Sequence, residues 1–215
     1  MTMSEGPTGG GEPDRPPDGA GVSTPLVAQA GGARARLMTG LTTFAGRTRL
    51  AGPALTCACA PEDNLAVHLA LYRAAPGTVI VCHGGGTTGT GLLGELMATD
   101  AANRGLGGLV VEGPVRDIDG IDRLGFPVLC TGTAPGRAAK ATAVSVGQPV
   151  VVGNVLVETG DRIIADRDGA VVVPAADWQA VRAEAADLAA REDRIRGRLA
   201  AGERLADIIG LDLSR

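Results

Sequence analysis

Two charged residues side by side pose the first chemical question in this chain. Residues 112–117 read EGPVRD and follow the apolar run LGGLVV, so a buried-looking strand ends in Arg116 and Asp117. A guanidinium can hold an anion and a carboxylate can hold a cation. Upstream, Gly94 opens GELMATDAANRG, a helix ended by Gly105. With Gly94 as N-cap, the amides of Glu95, Leu96 and Met97 lack partners inside the helix. They form an anion pocket at a positive dipole end. Arg116, just past the next strand, lies at the carboxyl edge of the same sheet, where open α/β sheets bind ligands. Arg116 and the amides can then share one small carboxylate. Glu95 and Asp117 can offer hard oxygens to Mg²⁺ or Mn²⁺ with several waters retained. The plain alternative is structural: Asp117 at a helix start complements the dipole, worth about 0.3–1 kcal/mol.

A second chemistry competes for the same region. Gly84, Gly86 and Gly89 have dinucleotide-binding spacing between a strand and a helix, and Glu112 ends the next strand, where a ribose-binding carboxylate would stand. Against it, TGTG lengthens the loop before the helical pattern begins, and hairpins rather than a further βαβ unit follow residue 132. No Lys-Ser or Lys-Thr follows the glycines, which excludes a Walker A loop. His83, beside this loop, reads either as a metal ligand or proton shuttle or as a strand-end residue bonded to backbone. His68 reads as a satisfied core or boundary residue.

Positioning these groups requires a regular scaffold. Strand signals at PALTCACA, TVIVCH, LGGLVVEG and FPVLCTG alternate with helices at 61–77, 94–105 and 115–125, which predicts parallel strands in an α/β layer. Pro61 fits the first turn of its helix, with Glu62 and Asp63 at the positive end. Residues 148–174 read as short strands with turns at 158–161 and 166–169, and DRDG marks a hairpin. A long amphipathic helix follows, anchored by Trp178, the single tryptophan. VSTPLVAQA and ARARLMTGL read as possible short helices. Residues 1–22, rich in Gly, Pro and charge, read as a disordered tail before one domain over 23–215.

Composition narrows the partners. The net charge is −4 and aromatic residues make up 2% of the chain, so neither a basic stripe nor stacking platforms favour nucleic acid. No apolar stretch reaches the roughly 18 residues of a membrane helix. The N-terminus has no secretory h-region. Cys57, Cys59, Cys82 and Cys130 lack CxxC spacing and read as small buried residues, with half of a thiolate metal site as the alternative. Reduced thiols fit the cytoplasm. Lys140 is the single lysine and lies in a polar stretch, which disfavours Schiff-base chemistry.

The segment 94–117 resembles the signature of the RraA-like family, which includes class II 4-hydroxy-4-methyl-2-oxoglutarate aldolases and regulators of ribonuclease E activity. Its aldolase pattern is an acid, twenty intervening residues and Arg-Asp, met here by Glu95 and Arg116-Asp117. EDNLAVHLAL, PGTVIVCHGGG, FPVLCTGTAP and TGDRIIADRDGAVVVP extend the resemblance over roughly residues 50–175. It implies an α/β/β/α sandwich, assembled as trimers or hexamers with the site between subunits. It further implies Arg116 on a pyruvate-like substrate, Asp117 on the divalent ion, Glu95 on the ion's waters, and the Leu96 and Met97 amides after Gly94 on the substrate carboxylate. The implied reaction is a retro-aldol cleavage to pyruvate, with oxaloacetate decarboxylation through the same electron sink. A non-catalytic regulator that binds a ribonuclease is the other expectation. Two departures stand out: STPLVAQAG lacks the carboxylate usual in the family's N-terminal helix, and His83 stands where an Asp is common.

Overall fold

The structure, a computed structural model, describes residues 21–213. In chain order its elements are α1 (Thr24–Gly31), β1 (Arg36–Met38), β2 (Thr43–Ala45), β3 (Leu50–Cys59), α2 (Leu65–Arg73), β4 (Val79–His83), β5 (Thr90–Gly91), α3 (Glu95–Asn103), β6 (Gly108–Val115), α4 (Ile118–Leu124), β7 (Val128–Thr133), β8 (Gly136–Arg137), β9 (Ala143–Val146), β10 (Val150–Val152), β11 (Val155–Val157), β12 (Arg162–Asp166), β13 (Gly169–Val173), α5 (Trp178–Ala200) and α6 (Leu205–Ile209). The main sheet runs β1-β13-β12-β3-β4-β6-β7-β2, with β9 also on β3. The succession β3, β4, β6, β7 is parallel, as the strand–helix alternation predicts. The pairs at the other end are antiparallel: β12 and β13 form a hairpin, flanked by β1 on β13 and by β3 on β12.

β3 turns one sheet into two layers. Leu50–Pro53 pair with β12, whereas Ala54–Ala58 pair with β4. Side chains then sort by the strand period of two. On β4, Val79 and Val81 face one core while Ile80 and Cys82 face another. On β12, Ile163 and Ala165 join Val79 and Val81, while Ile164 faces away. The sheet halves thus pack on each other through Val79, Val81, Val110, Leu129, Ile163 and Val172. Helices α2, α3 and α4 cover one outer face, and α1 and α5 cover the other. The result is the α/β/β/α sandwich. Its layers are cemented by small aliphatic side chains, each full burial worth about 1.5–3 kcal/mol.

Some local expectations change. α2 starts at Leu65, not at Pro61. Glu62 takes a left-handed φ of 58° and its amide donates to Thr87 Oγ1 at 2.9 Å, so residues 61–63 form a turn. Asp63, one residue before the Asn64 N-cap, then receives the Leu65 amide at 2.8 Å and holds this turn at the helix start. ARARLMTGL is not a helix: Arg36–Met38 pair with β13, because tertiary strand pairing outweighs a weak local preference. Val22 belongs to the core around α1 rather than to a tail, while residues 1–20 of the expected tail lie outside the described residues. Trp178 is 2% exposed and anchors α5, with the Arg162 guanidinium 5.7 Å from its ring centre.

Candidate functional site

The helix α3 and the end of β6 meet through backbone bonds. Leu92 donates to Pro114 O at 2.9 Å, and Arg116 donates to Leu93 O at 2.9 Å. These bonds set Gly94, the N-cap of α3, against Arg116 and Asp117. A Cβ at Gly94 would stand 2.6 Å from Asp117 Oδ2 and 3.2 Å from Arg116 Nε, so only a glycine permits this approach. Arg116 Nε lies 3.4 Å from Asp117 Oδ2. Asp117 is itself the N-cap of α4 and adopts φ 58°, ψ 38°, a left-handed conformation unfavourable for most residues. Glu95 turns its carboxylate onto the first turn of α4, against Gly120, where a Cβ would come within 2.2 Å of Oε2. Arg116, Asp117 and Gly94 therefore meet at the carboxyl edge of the parallel strands, with Glu95 directly after Gly94 in the chain.

The helix start offers fewer donors than the sequence implies. Met97 donates to Gly94 O at 3.1 Å, so its amide is not free for a ligand. A tight first turn consumes that donor. The amides of Glu95 and Leu96 have no hydrogen bond among the described residues. Leu96 presents its side chain outward, 84% exposed. Met97 instead packs inward, its sulfur 3.5 Å from Asn64 Nδ2. The site thus offers two amides, one guanidinium and the Asp117 carboxylate, with the Glu95 carboxylate lying on Gly120.

The dinucleotide reading of the glycine loop does not survive. The helix after the loop begins at Glu95, well past Gly89, so no helix end faces Gly84–Gly89. The loop closes on the chain's own Glu62, whose Oε1 accepts weakly from Thr88 and Gly89 amides at 3.4 and 3.5 Å. Glu112 is equally occupied. It pairs in register with His83, whose Nδ1 is 2.7 Å from Oε2, while Gly153 donates to Oε1 at 3.0 Å. His83 Nδ1 also lies 3.1 Å from Val151 O. This cluster joins β4, β6 and the β10–β11 hairpin.

Other titratable groups are structural. Burial alone would raise the Asp63 pKa, but the amides of Leu65, Ala141 and Thr142 outweigh it and hold the carboxyl below its usual range. Sequence reasoning placed Asp63 only at a helix start. Its bonds to residues 141–142 span too much chain to be read from spacing. Burial pushes His68 down, and its Nε2 has no partner, so it is a boundary residue but not a satisfied one. All four cysteines are buried free thiols. The adjoining Cys82 thiol and burial push Cys59 up, and burial pushes Cys130 up to about 11, so both stay protonated at neutral pH. Lys140 is exposed, as expected. No helix among the described residues is long and apolar enough to cross a membrane.

Comparison with known proteins agrees with this architecture. A family model described as RraA-like, aldolase/RraA, matches residues 22–172. A Halalkalibacterium halodurans protein provisionally named 4-hydroxy-4-methyl-2-oxoglutarate aldolase is 37% identical over 126 residues, 59% of this chain and 60% of that protein. The match thus spans less than two thirds of that relative's length. The crystal structure of Streptomyces coelicolor RraAS2, described as an unusual member of the RNase ES inhibitor RraA protein family, superposes with a TM-score of 0.73 at 32% identity, covering 81% of this chain and 91% of that one. A Geobacillus kaustophilus structure named as an S-adenosylmethionine: 2-dimethylmenaquinone methyltransferase gives 0.67 at 30% identity, covering 71% and 94%. The three names point to three activities on one fold, so activity must be argued from the site. By sequence and by architecture, this chain belongs to the RraA-like family.

Proposed function

We propose that this chain is a divalent-metal-dependent lyase. It cleaves 4-hydroxy-2-oxo acids of the 4-hydroxy-4-methyl-2-oxoglutarate type to pyruvate and also decarboxylates oxaloacetate. One observation carries the reading: Arg116 and Asp117 meet at Gly94, beside the unpaired amides of Glu95 and Leu96, and the Glu95 carboxylate lies on the next helix, α4, at Gly120. The name of the 37%-identical relative points the same way.

The residues suit Mg²⁺ or Mn²⁺. Asp117 and Glu95 are hard oxygen donors at the protein surface, and neither is fully engaged by the protein. Mg²⁺ is commonly bound by one or two carboxylates, keeps several waters and takes further ligands from the substrate. Asp117 would hold it directly and Glu95 through water. When bound, the ion supplies Lewis-acid polarisation of the 2-oxo group.

The chain's own groups do the rest. Arg116 and the amides of Glu95 and Leu96 grip the carboxylate beside the 2-oxo group. Cleavage of the C3–C4 bond sends its electron pair toward the 2-oxo oxygen, while the 4-hydroxyl gives its proton to solvent and becomes a carbonyl; C3 of the resulting enolate then takes a proton from solvent, which completes pyruvate. Arg116 and the start of α3 place fixed positive potential where that charge develops. In oxaloacetate the distal carboxylate leaves as CO₂, and the charge arrives at the same oxygen.

The reading includes a cytoplasmic homotrimer or hexamer with the site between subunits. Leu96 at the start of α3, an apolar side chain 84% exposed beside the site, supports a covered surface there. The likeness to RraAS2 supports a second reading, a regulator that binds a ribonuclease. A pyruvate-release assay separates the two. The lyase releases pyruvate from oxaloacetate and 4-hydroxy-4-methyl-2-oxoglutarate, loses this activity in EDTA and regains it with Mg²⁺ or Mn²⁺. No release with either metal, together with ribonuclease inhibition that survives Arg116→Ala, establishes the regulator instead.

A further inference from the structure

The crevice holds one guanidinium, and the adjoining strands direct a second toward it. β5 and β8 run parallel, with Thr90 opposite Gly136 and Gly91 opposite Arg137. Residues paired in register send their side chains to the same face of the ribbon. Gly91 identifies that face, because a Cβ there would lie 2.8 Å from Arg116 Cβ and 2.9 Å from Arg116 Cγ. Arg137 therefore leaves β8 toward the side on which Arg116 lies, and Gly91 puts no side chain between them. The approach to β8 is pinned as well: Ala134 donates to Val115 O at 3.0 Å, one residue before Arg116. Arg137 is exposed and has no ion pair among the described residues.

Charge decides what such a site selects. Arg116 and Arg137 together offset Glu95 and Asp117. A divalent cation then leaves two positive charges in excess. A dicarboxylate neutralises them, and a monocarboxylate leaves one uncompensated. Two guanidiniums sharing a face also repel unless an anion lies between them.

We propose that Arg137 binds the distal carboxylate of the substrate and makes this site selective for dicarboxylic over monocarboxylic 2-oxo acids. The inference rests on the lyase reading of the same crevice. It does not make Arg137 part of the bond-breaking chemistry.

Calorimetric binding by the full chain at fixed Mg²⁺ tests it, using 2-oxoglutarate and 2-oxobutyrate, which differ in the distal carboxylate. The wild type should prefer 2-oxoglutarate. Arg137→Gln should weaken 2-oxoglutarate about tenfold, as expected for one charge-assisted pair, and change 2-oxobutyrate less than twofold. Arg137→Lys should restore part of the preference, which a merely misfolded glutamine variant could not explain. Equal effects on both acids, or no effect on either, overturn the role of Arg137 while the lyase reading stands. Failure of the wild type to bind either acid overturns both.

Discussion

Two charged clusters stand near the carboxyl ends of the same parallel strands, and they differ in how completely they satisfy themselves. His83 and Glu112 close on each other at 2.7 Å, and Val151 and Gly153 of the hairpin take up further bonding capacity. Arg116 and Asp117 share a single ion pair at 3.4 Å, beside the unpartnered amides of Glu95 and Leu96 and with Asp117 left-handed. A cluster that bonds internally stabilises the fold and has little left for a ligand. One left open, with strained backbone, is poised for something else to complete it. Residue type alone does not separate them, since each pairs a cation-forming group with a carboxylate.

The comparison can be broken most directly at Arg116. Arg116→Ala should lower kcat/KM for pyruvate release from oxaloacetate about 10³-fold, the scale of losing a preorganised charge stabiliser. Its melting temperature should shift by no more than about 2 °C, because the residue is partly exposed and weakly paired. A large loss of stability with activity retained would reverse the roles assigned to the clusters.

Gly94→Ala sharpens the contrast. The new Cβ would meet Asp117 Oδ2 at 2.6 Å, forcing the open cluster apart. Activity should fall about 10²-fold, as for a misplacement of roughly 1 Å, and Arg116 binding of oxalate, followed by calorimetry, should weaken in parallel.

Asp63 extends the comparison to a third, fully closed group. Asp63→Ala removes three amide bonds and should cost about 2–4 kcal/mol in urea unfolding. The folded pKa of Asp63 lies below its unfolded value. Its contribution is therefore complete above the unfolded value, about 3.9, and is lost as pH falls through the folded one. Stability measured down that window should drop in the wild type more steeply than in the variant.

The smallest effect is expected at His83. His83→Ala leaves Glu112 half-buried with only the Gly153 amide, and should cost about 1 kcal/mol, a shift of roughly 2–4 °C in melting temperature. It should leave kcat/KM within twofold. A tenfold loss of activity would move His83 into the working site.

Much of the frame was legible in advance because it rests on short-range periodicity. Alternation on β4 and β12, the DRDG turn and Gly105 after α3 are local signals with local causes. The Glu95 and Arg116-Asp117 spacing was readable because a helix followed by a parallel strand returns the chain to one sheet edge. Three features were not. β1 declares itself only by pairing with β13, about 134 residues away. The loss of the Met97 donor depends on how tightly the first turn of α3 winds. The bonds that hold Glu112, to His83 and Gly153, could not be read from spacing, which offered a disfavoured ribose role as its one functional reading.

From its own residues, then, the chain determined its parallel α/β half, its hairpin half, its aliphatic core and the identity of the charges at one strand end. These follow from side-chain size and from periods of two and 3.6, which act over a few residues. Only the tertiary structure decided which charges are satisfied and which are left open. That depends on contacts between segments far apart in sequence, such as Glu95 over Gly120, Glu112 under Gly153 and Arg137 across Gly91 from Arg116. Electrostatic and hydrogen-bond energies fall off over a few ångströms, so a group's chemical availability is set by neighbours that spacing along the chain does not specify.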